Sequence, residues 1–192
     1  MKRLIIWVLT LAAIIGTSLL GAEPAEATQA HYRWKYDKVC VADYTGPWPV
    51  DSATYRWDAV PDLQLVWRIG ASACPSGYQR IYVHEGNYGR ASYCAGTYVA
   101  WGGCAEAHLY ASDGTWEWLG DAYRMYSCKI RMNNYYYWNW DDKRSLIMHE
   151  IGHCLGLDHT TYWSSLMNTN RWYYYNYPTA YDKSEVEKRY PW

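Results

Sequence analysis

The string His149-Glu150-Ile151-Gly152-His153-Cys154-Leu155-Gly156-Leu157-Asp158-His159 constrains this chain more than any other feature. His149 and His153 are four residues apart, so a helix places both imidazoles on one face, one turn apart, within reach of one metal ion. Glu150 is rotated off that face and lies beside the metal rather than on it. Gly156 allows the left-handed turn that ends the helix, and the turn swings His159 back as a third ligand. Three protein ligands leave one tetrahedral position open, which marks a catalytic zinc rather than a structural one. Glu150 is then the expected general base, taking a proton from water and handing it to the leaving amine. Five fixed positions across this string arise by chance in about one chain in 10^5 of this length.

The rest of the chain suits an exported enzyme. Its 192 residues fit one domain plus a targeting segment. Lys2 and Arg3 precede an apolar run from Leu4 to Leu20, and small residues follow, so 1–30 reads as a signal peptide cut after Ala27 or Ala30. The remaining 31–192 reads as a single domain, with no membrane association after cleavage. Its six cysteines are Cys40, Cys74, Cys94, Cys104, Cys128 and Cys154, an even number that predicts disulfides in an oxidising compartment. Six cysteines allow 15 pairings, and the sequence alone does not choose among them. The net charge of -1, without a basic run, gives no surface for nucleic acid. A monomer is expected.

The periodicities predict helices and strands in alternation. A helix is expected over 51–60, capped by Asp51 and ended by Pro61. Strands are expected over 63–67, 80–84 and 126–132, with a weaker one over 96–101. Asp141 or Asp142 is expected to cap the helix that carries His149 and His153, with Leu146, Ile147, Ile151, Cys154 and Leu155 facing inward. A last helix starts at Asp182, with Glu185 completing a capping box, and runs to about 190.

The eleven-residue string resembles the HExxHxxGxxH signature of the metzincin zinc endopeptidases. Ser164-Ser165-Leu166-Met167-Asn168 is similar to that family's Met-turn, and the likeness is nearest to the matrixin-like branch. The resemblance implies an α/β (α+β) zincin domain: a twisted mixed sheet with the active-site helix, and a smaller C-terminal part beyond a cleft. It implies one catalytic Zn2+ on His149, His153 and His159, with Met167 as an apolar floor that does not bind the metal. A further structural Ca2+ or Zn2+ near His84 or His108 is conceivable on the same resemblance, although isolated histidines are the commoner case. Thr169 stands where astacin-like members carry a Tyr ligand, so no ligand is expected there. No cysteine-switch propeptide is readable before Cys40. Cys154 inside the motif is unusual for the family, and Cys128 on the adjacent strand is its expected partner. Cys94 with Cys104 and Cys40 with Cys74 complete the pairing carried forward.

Two aromatic clusters flank the active helix, 134–140 and 171–177, in a chain with 22 Tyr, 13 Trp and no Phe. Most of these rings are expected to be core and rim packing. Tyr173, Tyr174 and Tyr175 are candidates for a wall of the substrate cleft, because the matrixin S1′ wall follows the Met-turn. The aromatics leave a second class of function open, an exported module that grips a glycan or a surface protein. A third reading is a zinc amidase acting on cell-wall peptide. The string favours a secreted endopeptidase acting on internal bonds of a protein or peptide substrate. Its one rival ligand set places Glu185 or Glu187 third on the metal. His159→Ala is therefore expected to abolish zinc retention, measured by metal analysis after dialysis, while Glu185→Ala keeps it. The reverse result overturns the assignment.

Overall fold

A computed structural model describes residues 31–190, apart from positions 62, 110, 112 and 171. The signal peptide expected over 1–30 lies outside these described residues. The core is a five-stranded mixed sheet with the spatial order β3-β2-β4-β9-β7. Its strands are β2 (Lys38–Asp43), β3 (Gln64–Ile69), β4 (Gln79–Gly86), β7 (Gly103–His108) and β9 (Ser127–Asn133). Four of them run parallel, and β7 alone is antiparallel, pairing with β9 at the sheet edge. A short pair, β1 (Tyr32–Arg33) with β8 (Tyr123–Arg124), and a hairpin, β5 (Ser92–Cys94) with β6 (Thr97–Val99), stand apart from the main sheet. Together with three helices this is the mixed α/β architecture expected of a zincin-like domain.

Alternation explains the layering. Ile81 and Val83 on β4, and Cys128, Ile130 and Met132 on β9, point to one face and are fully or almost fully buried. Two helices cover that face, α1 (Val50–Trp57) and α2 (Trp140–Cys154). Leu146, Ile147, Ile151, Cys154 and Leu155 are all buried, as the helical spacing predicts. Burying one such aliphatic side chain contributes about 1.5–3 kcal/mol, so this seam is a major part of the driving force. The Trp57 indole N–H donates to the Met148 carbonyl at 2.8 Å and pins α1 against α2. The third helix, α3 (Ala180–Arg189), closes the C-terminal part.

Helix starts differ from expectation in three places. Asp51 lies in the first turn of α1, and the residue before the helix is Pro49, which makes no side-chain cap. Asn139, not Asp141 or Asp142, caps α2, accepting from the Asp142 N–H at 2.9 Å. Both aspartates occupy the first turn, where negative charge still favours the helix dipole. Thr179 caps α3, and Asp182 is the far partner of its capping box, so the box sits three residues earlier than predicted. The weak strand expected over 96–101 resolves into β6, while β2 and β7 were not predicted. No helix among the described residues is long and apolar enough to cross a membrane.

Three disulfides join Cys40 to Cys74, Cys94 to Cys104, and Cys128 to Cys154, the same pairs carried forward from the sequence. The last one ties α2 to β9 through the centre of the core. It closes a sequence separation of 26 residues. Replacing both cysteines by serine is expected to lower unfolding stability by about 2–4 kcal/mol, read as a shift in the denaturation midpoint. An unchanged midpoint would show that the α2–β9 seam is held by packing alone.

Candidate metal centre

The end of α2 and the turn after it build the site. His149 is buried on the helix, and His153 follows one turn later. Gly156 then takes φ +87°, and an added Cβ there would also meet the Arg189 Nε at 2.8 Å and the Tyr32 carbonyl at 3.0 Å. Glycine is thus required by conformation and by space, and it turns the chain so that His159 faces back. The three Nε2 atoms converge: His149 to His159 is 3.1 Å and His153 to His159 is 3.2 Å. Tetrahedral zinc with bonds of about 2.0–2.1 Å needs nitrogen atoms about 3.4 Å apart, close to these two distances, and the three ligand atoms all lie within 4.8 Å of one another. Among the described residues this trio is the one group of three or more His, Cys, Asp or Glu placed to share an ion. Glu185 is not part of it and pairs instead with Lys188 at 2.6 Å.

The backs of the rings are fixed by the main chain. His149 Nδ1 donates to the Leu166 carbonyl at 2.8 Å, and His153 Nδ1 donates to the Leu157 carbonyl at 2.7 Å. With the proton on Nδ1, each Nε2 lone pair is left facing the common point, the tautomer a metal requires. Burial pushes His153 down to about 4, and the neighbouring His159 adds to that shift. Burial also holds His149 well below the ordinary imidazole value, and lowers His159 against the opposing pull of Asp158. The site therefore presents uncharged imidazoles, which ligate, rather than imidazolium ions, which repel a cation.

Glu150 is buried beside the trio. Burial pushes its carboxyl up to about 8, against the opposing effect of a hydrogen bond from the Ala105 N–H on β7. A carboxyl poised near neutrality suits proton transfer. It faces a cleft of about 520 Å³ whose walls include Gly103 and Ala105 of β7, Val99 and Trp101, His153 and His159. The cleft thus runs along the free edge of the sheet.

Met167 is fully buried and follows Leu166, whose carbonyl accepts from His149. Its position depends on Gly152, because a Cβ at that position would meet the Met167 sulfur at 2.5 Å and the Trp57 ring at 3.3 Å. Gly152 was present in the string but was not singled out, because nothing about helix formation calls for it. Asp182 was seen only as a helix signal. In the structure it is buried, accepts from the Ser165 hydroxyl at 2.5 Å and from the Leu166 N–H at 2.9 Å, and also bonds Thr179. It ties α3 to the turn whose Leu166 carbonyl orients His149. No periodicity could reveal that partnership, since it joins segments 16 residues apart.

The three wall candidates, Tyr173, Tyr174 and Tyr175, have different surroundings. Tyr175 is packed against the core, donates to the Trp163 carbonyl at 2.6 Å, and its own carbonyl accepts from Ser145 at 2.7 Å. Tyr173 and Tyr174 line a separate cavity that shares no residue with the cleft over Glu150. His84 stacks on Tyr44 at 4.7 Å, and with His108 it lies on the outer face of the sheet rather than in a metal cluster.

Two imidazoles on one helix and a third beyond a glycine turn form a group that could hold a metal ion, with a buried glutamate beside it. The model of the matrixin peptidase family matches residues 93–188, which is 96 of the 192 residues and spans the chain from β5 through α3. The chain belongs to the matrixin family of zinc-dependent metallopeptidases. No curated protein gives a match to it. Matrixins are typically extracellular, and three disulfides agree with an oxidising compartment.

Asp182→Ala leaves the Leu166 and Thr179 N–H groups unpaired in a buried setting. The expected cost is about 3 kcal/mol, seen in chemical denaturation, together with weakened metal retention through loss of the His149 orientation. Stability loss without any change in metal affinity would separate Asp182 from the metal site.

Proposed function

We propose that the protein is a secreted zinc endopeptidase in which His149, His153 and His159 hold the ion and Glu150 is the general base. The observation that carries this reading is the convergence of three Nε2 atoms beside a buried glutamate, in a cleft that follows an edge strand. When bound, zinc supplies Lewis-acid chemistry that polarises a carbonyl and makes water acidic near neutral pH.

The chain's own groups supply the rest. Glu150 accepts the proton of the attacking water and delivers it to the departing amine nitrogen. The Ala105 N–H keeps that carboxylate aimed into the cleft. The outer edge of β7 carries main-chain donors and acceptors, so an extended peptide can pair with it as an added strand. That geometry favours internal bonds of a protein or peptide chain over small amides, because residues on both sides of the cut gain main-chain pairing. The Leu166 and Leu157 carbonyls hold two ligand rings in one tautomer throughout. A single chain carries all of these groups, so a monomer suffices. The charged start and apolar run of 1–30, with the disulfides that follow, support export.

Glu150→Ala is expected to lower the rate of casein or gelatin digestion by about 10²–10⁴-fold while zinc content stays stoichiometric. A strong chelator stops the wild-type digest, and added zinc restores it. Digestion that ignores both the chelator and the substitution would sink the mechanism.

A further inference from the structure

The second aromatic cluster builds a cavity that the peptidase chemistry does not use. It has a volume of about 400 Å³, within the range of small-ligand sites. Trp163, Tyr173 and Tyr174 supply rings to its lining, and Thr161, Thr169 and Asn170 supply hydroxyl and amide groups. No Asp, Glu, Lys, Arg or His is among the described residues that line it. None of its walls comes from α2, so it is not an extension of the metal cleft.

The segment divides its rings in a telling way. Tyr175 is committed to packing, whereas Tyr173 is 45% exposed, Tyr174 60% and Trp163 66%. Exposing several large rings together in one concave patch is uncommon unless something binds there. The backbone beneath them is held in place. The Trp163 carbonyl accepts from the Tyr175 hydroxyl at 2.6 Å, and the Asn168 amide donates to the Tyr162 carbonyl at 3.0 Å. The Asn170 N–H donates to Asn168 Oδ1 at 3.0 Å, and the Tyr162 N–H to the Thr160 hydroxyl at 3.0 Å. Tyr173 and Tyr174 pack ring to ring at 4.3 Å. Such a site binds without first having to order its loops.

From this lining we infer that the cavity is a carbohydrate subsite that takes a neutral sugar. The electron-rich faces of Trp163, Tyr173 and Tyr174 attract the weakly positive C–H face of a pyranose ring. The hydroxyl and amide groups of Thr161, Thr169 and Asn170 match its ring hydroxyls, which both donate and accept. Among the described residues of the lining, a charged ligand finds no counter-charge. An extended peptide would find no strand to pair with among the described residues, since this segment holds turns, a 3-10 turn at Trp172–Tyr174 and an isolated bridge, Thr160 to Asn168. The site lies on the same stretch as His159 and Met167, so a bound glycan sits on the part of the domain that carries the third ligand. The sugar belongs either to a free polysaccharide or to a glycan carried by the protein substrate.

The test uses the full mature chain with its disulfides intact and the Glu150→Ala substitution, so that binding is read without proteolysis. Calorimetric titration with two neutral probes, an N-acetylglucosamine trimer and cellotriose, is expected to show saturable binding of at least one. Trp163→Ala and Tyr174→Ala are each expected to weaken it about tenfold. Tyr55→Ala, which removes a ring 79% exposed on α1, leaves it unchanged. Circular dichroism confirms that each variant is folded. Two further arms name the source. In the chain that keeps Glu150, faster cleavage of a glycosylated protein than of its deglycosylated form, lost in Trp163→Ala, assigns the substrate's own glycan. Retention on insoluble polysaccharide without that rate difference assigns a matrix. The inference is overturned if neither probe binds, if binding is indifferent to Trp163 and Tyr174, or if a peptide occupies the cavity and no sugar displaces it. Since binding is read in the Glu150→Ala chain, failure here leaves the peptidase reading intact, and failure of that reading leaves this one standing.

Discussion

Three uncharged imidazoles must meet at one point, with His149 in the interior, His153 at its margin and His159 exposed, and most of the fold serves that requirement. An unsatisfied buried N–H costs about as much as a lost hydrogen bond, so the two rings carried by α2 need an acceptor behind them. The structure supplies main-chain carbonyls, Leu157 for His153 and Leu166 for His149. Main-chain acceptors can be aimed only if the backbone itself is fixed. Gly156 fixes the first carbonyl by setting the turn that leads to Leu157. Asp182 fixes the second by holding the Leu166 N–H and the Ser165 hydroxyl from α3. The C-terminal helix thus acts on the metal site without touching it.

Much of this centre was legible because its parts are local. Two ligands at helical spacing, a glycine stop and a third ligand beyond it lie within one short string, and local geometry turns that string into a site. The long-range supports were hidden. Gly152 reads as an ordinary weakness in a helix until Met167 is seen to occupy the space a side chain would need. Asp182 reads as a helix-start residue, and it is one, but the same carboxylate also reaches back to the Met-turn.

The fold shows the same division. β4 and β9 alternate between core and outer face, so period-two reading finds them. β2 does not alternate, because it lies between β3 and β4 and five of its six residues are buried. Central parallel strands lose the polar face that makes a strand visible. β7 failed for the opposite reason: its sequence Gly-Cys-Ala-Glu-Ala-His is short-chained and sits at the edge, where β-branched residues have little to pack against. The helix caps were displaced because Asn139 and Thr179 are as able to accept an N–H as the aspartates that follow, and the packing of α2 and α3 decides which is used.

The aromatic residues separate into two physical roles that composition could not distinguish. Trp34 and Trp57 are fully buried and take the part that phenylalanine plays in other cores. The Trp57 indole N–H is satisfied by the Met148 carbonyl, which is the condition for burying such a ring without penalty. Trp163, Tyr173 and Tyr174 remain at the surface beside hydroxyl and amide groups, where an apolar face next to a polar tip suits a ligand that is itself mixed. The main chain of α2 provides the acceptor for Trp57 while it positions the imidazoles, whereas the buried Trp34 indole N–H finds no partner among the described residues. The helix that carries the metal ligands is in this sense also the scaffold that lets the aromatic core close around it.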